Sequence, residues 1–170
     1  ANQIENILAL RGDIPANADF PLPNQYKHAS ELIADIRAQG DFCIGAACYP
    51  EGHVEAPNQR EDKRHLKEKV DAGCDFLTTQ MFFDNDILYH FMYRLLRAGI
   101  KVPVIAGIMP VTNAKQMKRI VSLSGTVLPR RFRMIVDRFA DQPEAMKQAG
   151  IAYATDQIID LYANGICNVH

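Results

Sequence analysis

The chain has 170 residues, with 19 Lys+Arg against 20 Asp+Glu, 48% hydrophobic residues, 23% charged residues, four Cys and no Trp. That length is enough to bury a substantial core, and the composition is too apolar for disorder and too charged for membrane spans, so residues 1–170 read as one soluble domain. A formal net charge of −1 removes the electrostatic case for nucleic acid or an anionic membrane as partner.

The first apolar run, Ile7-Leu8-Ala9-Leu10, predicts a strand. A helix is expected over 30–38, closing at Gly40, and then a strand over 42–48 that breaks at Tyr49-Pro50. A second helix, 61–72, closes at Gly73 and leads into the apolar run 76–83; a third, 86–98, closes at Gly99 and leads into 102–108. Three helical segments follow, 114–123, 129–139 and 144–163, and after Gly165 a fifth strand is only begun. A glycine after a helix supplies the left-handed residue that turns the chain back into a strand. Short apolar runs without strict alternation indicate strands buried on both faces, and their alternation with helices indicates parallel βαβ units. An open doubly wound sheet and part of a (βα)8 barrel both fit; no Gly-rich fingerprint follows the first strand, which weighs against the dinucleotide-binding form of the former. A start at Ala1-Asn2 and a stop at Asn168-Val169-His170 lead us to expect a piece of a longer protein. Cys43, Cys48, Cys74 and Cys167 form no zinc spacing; three of them lie in or beside apolar runs, which predicts core thiols in a reducing, cytoplasmic setting.

In parallel α/β folds the chemistry gathers where strands end. Those positions carry Arg11-Gly12-Asp13, Tyr49-Pro50-Glu51-Gly52-His53, Thr79-Gln80-Met81-Phe82-Phe83-Asp84 and Gly107 through Asn113. They offer an arginine, carboxylates, amides, aromatic faces and a single His, which supports neither a hydrolase triad nor a zinc site. Each group also has an ordinary structural reading. Asp13 suits a turn or a pair with Arg11, Gln80 an exposed strand end, and His53 an exposed loop. The charged run 60–69 suits a solvated helix face, although its start after a strand-end loop is also where phosphate is held.

At these same loops the sequence resembles the methylenetetrahydrofolate reductase family. The resemblance rests on Ala9-Leu10-Arg11-Gly12-Asp13, on Ala46-Ala47-Cys48-Tyr49-Pro50-Glu51-Gly52-His53, and on Asp62 with His65-Leu66-Lys67-Glu68-Lys69. It continues through Thr79-Gln80-Met81-Phe82-Phe83-Asp84, Gly107-Ile108-Met109-Pro110-Val111-Thr112-Asn113 and Asn168-Val169-His170. It implies an α/β fold, a partial (βα)8 TIM barrel covering roughly strands four to eight of a catalytic domain, without the family's acidic proton donor near its first strand. It also implies a cytoplasmic flavoprotein oxidoreductase of one-carbon metabolism and methionine biosynthesis. Such an enzyme reduces 5,10-methylenetetrahydrofolate to 5-methyltetrahydrofolate with FAD and NADH or NADPH, and works as a homo-oligomer. By the same resemblance Arg11, Gly12, Asp13, Tyr49, His53, Asp62, His65 and Lys69 contact FAD, Asp13 is catalytic beside flavin and folate, and Asp13, Gln80 and Gln116 bind substrate. Glu68 departs from relatives that carry a basic residue there.

These roles are chemically coherent. The flavin carries the hydride chemistry and the protein positions it, a carboxylate beside it favours positive charge developing on the folate, and an amide meets a pterin edge with both donor and acceptor. Two other readings stand beside it. One is a non-catalytic half-barrel module whose exposed strand edges invite pairing, and the other is an unrelated barrel enzyme.

Overall fold

A computed structural model describes residues 4–12 and 26–170, apart from the side chains of Gln116, Lys118 and Leu123. Among the described residues four strands and six helices follow one another as β1 (Asn6–Ala9), α1 (Ala29–Gln39), β2 (Cys43–Cys48), α2 (Gln59–Asp71), β3 (Phe76–Thr79), α3 (Asn85–Arg97), β4 (Val104–Ile105), α4 (Ala114–Ser124), α5 (Arg130–Phe139) and α6 (Pro143–Ala163). The strands form one sheet in the order β1-β2-β3-β4, with every pairing parallel. Ala106 then bridges Val169 in parallel, which is the expected beginning of a fifth strand. This is the alternating β/α order of part of a (βα)8 barrel rather than of a sheet wound in two directions.

Burial explains the runs read from the sequence. Ile44, Gly45 and Ala46 are buried consecutively in β2, so both faces of that strand are covered, as a parallel sheet requires. The main core gathers Ile33 of α1, Ile44 and Ala46 of β2, Leu66 of α2, Leu77 of β3 and Leu88, Phe91 and Leu95 of α3. A second core, Phe83, Val111, Met117, Phe132 and Met146, joins α4, α5 and α6 to the loops after β3 and β4.

Helix starts are set by caps: Asn58 accepts from the N–H groups of Arg60 and Glu61, Asp84 from Asp86, and Asn113 from Lys115. Gly73 (φ 110°) and Gly99 (φ 72°) lie in the positive-φ region expected after α2 and α3. Gly40 does not; its φ of 165° is extended backbone. Two strands are shorter than expected. The run 76–83 leaves the sheet after Thr79, because Phe82 enters the main core while Phe83 enters the second. The run 102–108 pairs with β3 as β4 only at Val104–Ile105; Pro103 has no N–H to add to the ladder, and Ala106 and Ile108 bond instead to the segment 168–170. Of the thiols, Cys48 and Cys74 are buried, whereas Cys43, at the outer end of β2, and Cys167 are exposed.

Candidate functional site

A cavity of about 380 Å³ opens where β1 and β2 end and α1 and α2 begin. Its walls are Ala9, Leu10, Arg11 and Gly12 after β1, Ala47, Cys48 and Tyr49 at the end of β2, and the loop residues His53, Glu55, Ala56 and Pro57. Helices close it, with His28, Ala29 and Ser30 at the start of α1 and Asp62, His65, Leu66 and Lys69 along one side of α2. The spacing of 62, 65, 66 and 69 is the i, i+3, i+4, i+7 stripe of a single helical face.

Each polar group is held by its neighbours. Arg11 meets Glu55 through two parallel hydrogen bonds of 2.8 Å, a bidentate pair that fixes both side chains and holds the Glu55 carboxyl below the usual carboxylate range. The loop after β2 folds back on itself: His53 Nδ1 accepts from the Glu55 N–H at 3.1 Å, and the His53 N–H donates to Asp62 at 3.3 Å. The His53 ring meets Tyr49 edge-on at 4.4 Å, and burial lowers its pKa. Lys69 Nζ donates to the Ala47 carbonyl at 2.9 Å and stands 5.9 Å from the Tyr49 ring centroid. Burial pulls its ammonium below the ordinary lysine range. His65 Nδ1 lies 3.2 Å from Glu68 and stacks on His28 at 5.1 Å between ring centroids.

The only cavity-lining thiol among the described residues, Cys48, is buried and its pKa is raised, first by burial, so it is a poor nucleophile. Among the described residues no group of three or more His, Cys, Asp or Glu side chains could hold a metal ion, and no helix is long and apolar enough to cross a membrane. What the cavity offers is binding. Apolar walls from Ala9, Ala47 and Leu66 meet an aromatic ring at Tyr49, cations at Arg11 and Lys69, and carboxylates at Glu55 and Asp62. That donor set fits one portion of a flat, phosphate-bearing cofactor.

Seven of the residues singled out in the sequence, Arg11, Gly12, Tyr49, His53, Asp62, His65 and Lys69, line this cavity together. Gln80 does not line it. It follows β3, gives its N–H to Cys48 O, and turns its own Oε1 onto the Met81 N–H at 3.1 Å. Gln116 stands in α4, its side chain outside the described set, and Asp13 lies outside the described residues. His28 and Glu55 also line the cavity, although the strand-end motifs do not include them. Glu55 lies two residues beyond the Tyr49–His53 loop motif and finds Arg11 only through the fold, and the signal for His28 is its place immediately before a helix that follows a strand-end loop.

The family model for methylenetetrahydrofolate reductase matches residues 1–170. The chain is 37% identical over 169 residues to 5,10-methylenetetrahydrofolate reductase of Escherichia coli (strain K12), covering 99% of this chain and 56% of that protein. It is 36% identical over 183 residues to methylenetetrahydrofolate reductase (NADH) 1 of Arabidopsis thaliana, covering 100% of this chain and 31% of that one. The chain therefore spans about half, or less, of the length of these curated relatives. Among solved structures, an uncharacterized protein from Clostridium thermocellum, titled as binding two copies of 5-methyl-5,6,7,8-tetrahydrofolic acid, superposes with a TM-score of 0.50 at 20% identity. That match covers 80% of this chain and 50% of the other, and it bears on the fold alone.

Proposed function

The chain belongs to the methylenetetrahydrofolate reductase family, and we propose that its protein is a flavin-dependent oxidoreductase that reduces 5,10-methylenetetrahydrofolate to 5-methyltetrahydrofolate, with NADH or NADPH as electron donor. The observation that carries this reading is the convergence of seven cofactor candidates from β1, β2 and α2 on one cavity. In this reading residues 1–170 are the C-terminal part of the catalytic TIM-barrel domain.

When bound, FAD supplies the hydride chemistry, and the residues of this chain hold and orient it. Lys69, already drawn out of water, offers its ammonium to a phosphate at small further desolvation cost. Arg11 and Gly12 close the β1 side, with the Arg11 guanidinium held in one orientation by Glu55. Tyr49 and His53 give the cavity an aromatic corner, and Asp62, anchored to the His53 N–H, accepts from ribose hydroxyls. Asp13 is the catalytic candidate, a carboxylate favouring positive charge on the folate. Gln80 and Gln116 bind substrate, and for Gln80 this requires its amide to leave the Met81 N–H. The four free thiols support a cytoplasmic setting, and the full-length protein is read as a homo-oligomer.

Purification of the protein tests the reading directly. We expect a yellow protein that takes up FAD stoichiometrically and oxidises NADH or NADPH when methylenetetrahydrofolate is supplied. A colourless product that neither takes up FAD nor oxidises either nucleotide overturns it.

A further inference from the structure

The described residues that line the cavity carry two formal cations, Arg11 and Lys69, against two formal anions, Glu55 and Asp62. Their charges cancel, and Arg11 is already committed to Glu55. A phosphate-bearing ligand placed here needs further positive charge, and among these residues only the three histidines gain it near neutral pH. His53 is poorly suited, because its Nδ1 accepts the Glu55 N–H and protonation there breaks that bond.

The other two form a unit. His28, at the entry to α1, and His65, on the cavity side of α2, stack with 5.1 Å between ring centroids and 21° between planes. His65 Nδ1 faces Glu68 at 3.2 Å; with the proton of the neutral ring on Nδ1, Nε2 is left to take a second one. Glu68 is shared with Arg64, which also pairs with Glu61. Around His28 stand Lys27 and Glu31 on its own segment, His65 and Glu68 on α2, and Glu55 in the loop after β2.

We propose that the stacked His28–His65 pair is a proton-linked anion clasp: seating the phosphate-bearing part of the cofactor draws a proton onto one imidazole, so cofactor affinity falls as pH rises through the histidine range. This rests on the flavin reading above. Two imidazolium rings in contact repel, so a proton on one ring opposes a proton on the other. Burial first, and then His65, lower the pKa of His28. A bound phosphate reverses the balance and raises the affinity of the pair for a proton. A pKa raised by binding makes affinity greatest below the pKa of the empty site and erodes it as pH rises through that of the filled site.

The test is calorimetric titration of the full-length protein with FAD near pH 7, in buffers of different ionisation enthalpy, with affinities compared at pH 6 and pH 8. We expect uptake of about a quarter to a half of a proton and, correspondingly, about threefold to tenfold tighter binding at pH 6 than at pH 8, since one proton is worth about tenfold per pH unit. Riboflavin, which lacks phosphate, should bind without proton uptake. His65→Arg, which puts a fixed charge in place of a titrating ring, should reduce the uptake and flatten the dependence of FAD affinity on pH, and His28→Gln should reduce the uptake with weaker binding. FAD binding without proton uptake, or equal uptake with riboflavin, overturns the clasp while leaving the flavin reading intact. No FAD binding at any pH overturns that reading and the clasp with it.

Discussion

Lys69 shows how a binding cavity costs the fold something. Its ammonium is drawn out of water and its titration is depressed by burial, with one hydrogen bond to the Ala47 carbonyl as compensation. Lys69→Met keeps the packing of the stem and removes the buried charge. We expect an unchanged or higher Tm together with at least tenfold weaker FAD binding, read by thermal unfolding and flavin fluorescence. A lower Tm with unaltered affinity would make Lys69 structural. Asp75 works in the opposite sense. Its carboxylate accepts the Ile44 N–H at 2.7 Å and the Arg37 guanidinium at 2.6 Å, and these hold its pKa below the usual range. A depressed carboxyl stabilises the fold above the unfolded pKa and loses that contribution as pH falls through the folded one. Asp75→Asn should therefore lower the urea midpoint at pH 7 and approach wild type only as pH falls below the ordinary Asp pKa of about 3.9. Single residues of the site were legible where a strand end announces them, as with Arg11, Tyr49 and His53. Glu55 was not, because its role is fixed by Arg11, 44 positions away, and nothing local encodes that pairing.

At the scale of elements, α6 is the brace behind the loop after β3. Tyr153 donates to the Phe83 carbonyl at 2.6 Å, and Gln157 Nε2 donates to the Phe82 carbonyl at 3.2 Å. Asn85 returns a bond to the Gln157 carbonyl and another to Asp160. These bonds hold the segment that begins with Gln80, so Gln157→Leu should loosen it and strand the buried Phe82 acceptor at a cost of about 1–3 kcal/mol. Chemical denaturation checks the cost. Gly150 is the closer constraint: a Cβ there overlaps the backbone carbonyl of Val111, which has no flexible side chain to move aside. Gly150→Ala is expected to destabilise by about 3 kcal/mol, the upper end of ordinary overpacking. The existence and order of these elements could be read from apolar period, caps and glycines. Their limits could not, since Phe82 and Phe83 form one apolar run in sequence yet serve two cores. The bracing role of α6 is hidden for the same reason, being made of contacts 70 or more positions apart.

At the scale of the whole sheet, the described residues form an open sheet, and the consequence is an unpaired edge among them. β2 and β3 each pair on both sides, whereas among the described residues β1 pairs only with β2. Its outer neighbourhood is apolar: Ile4 is 61% exposed, Leu8 49% and Leu10 52%. A parallel barrel buries such side chains under the next strand, and an exposed apolar edge templates pairing with another chain. The isolated 170-residue polypeptide is therefore expected to self-associate in a concentration-dependent way, with light scattering after size exclusion reporting species larger than a monomer. Leu8→Lys adds a charge to that edge without touching the cavity wall, and should shift the population toward monomer while leaving the helical circular dichroism unchanged. Longer protein that supplies a neighbour for β1 should show neither the association nor the response to Leu8→Lys. A monodisperse monomer of the isolated chain at high concentration would mean that the β1 edge is already protected, and the half-barrel account of this sheet would then have to yield to a closed one.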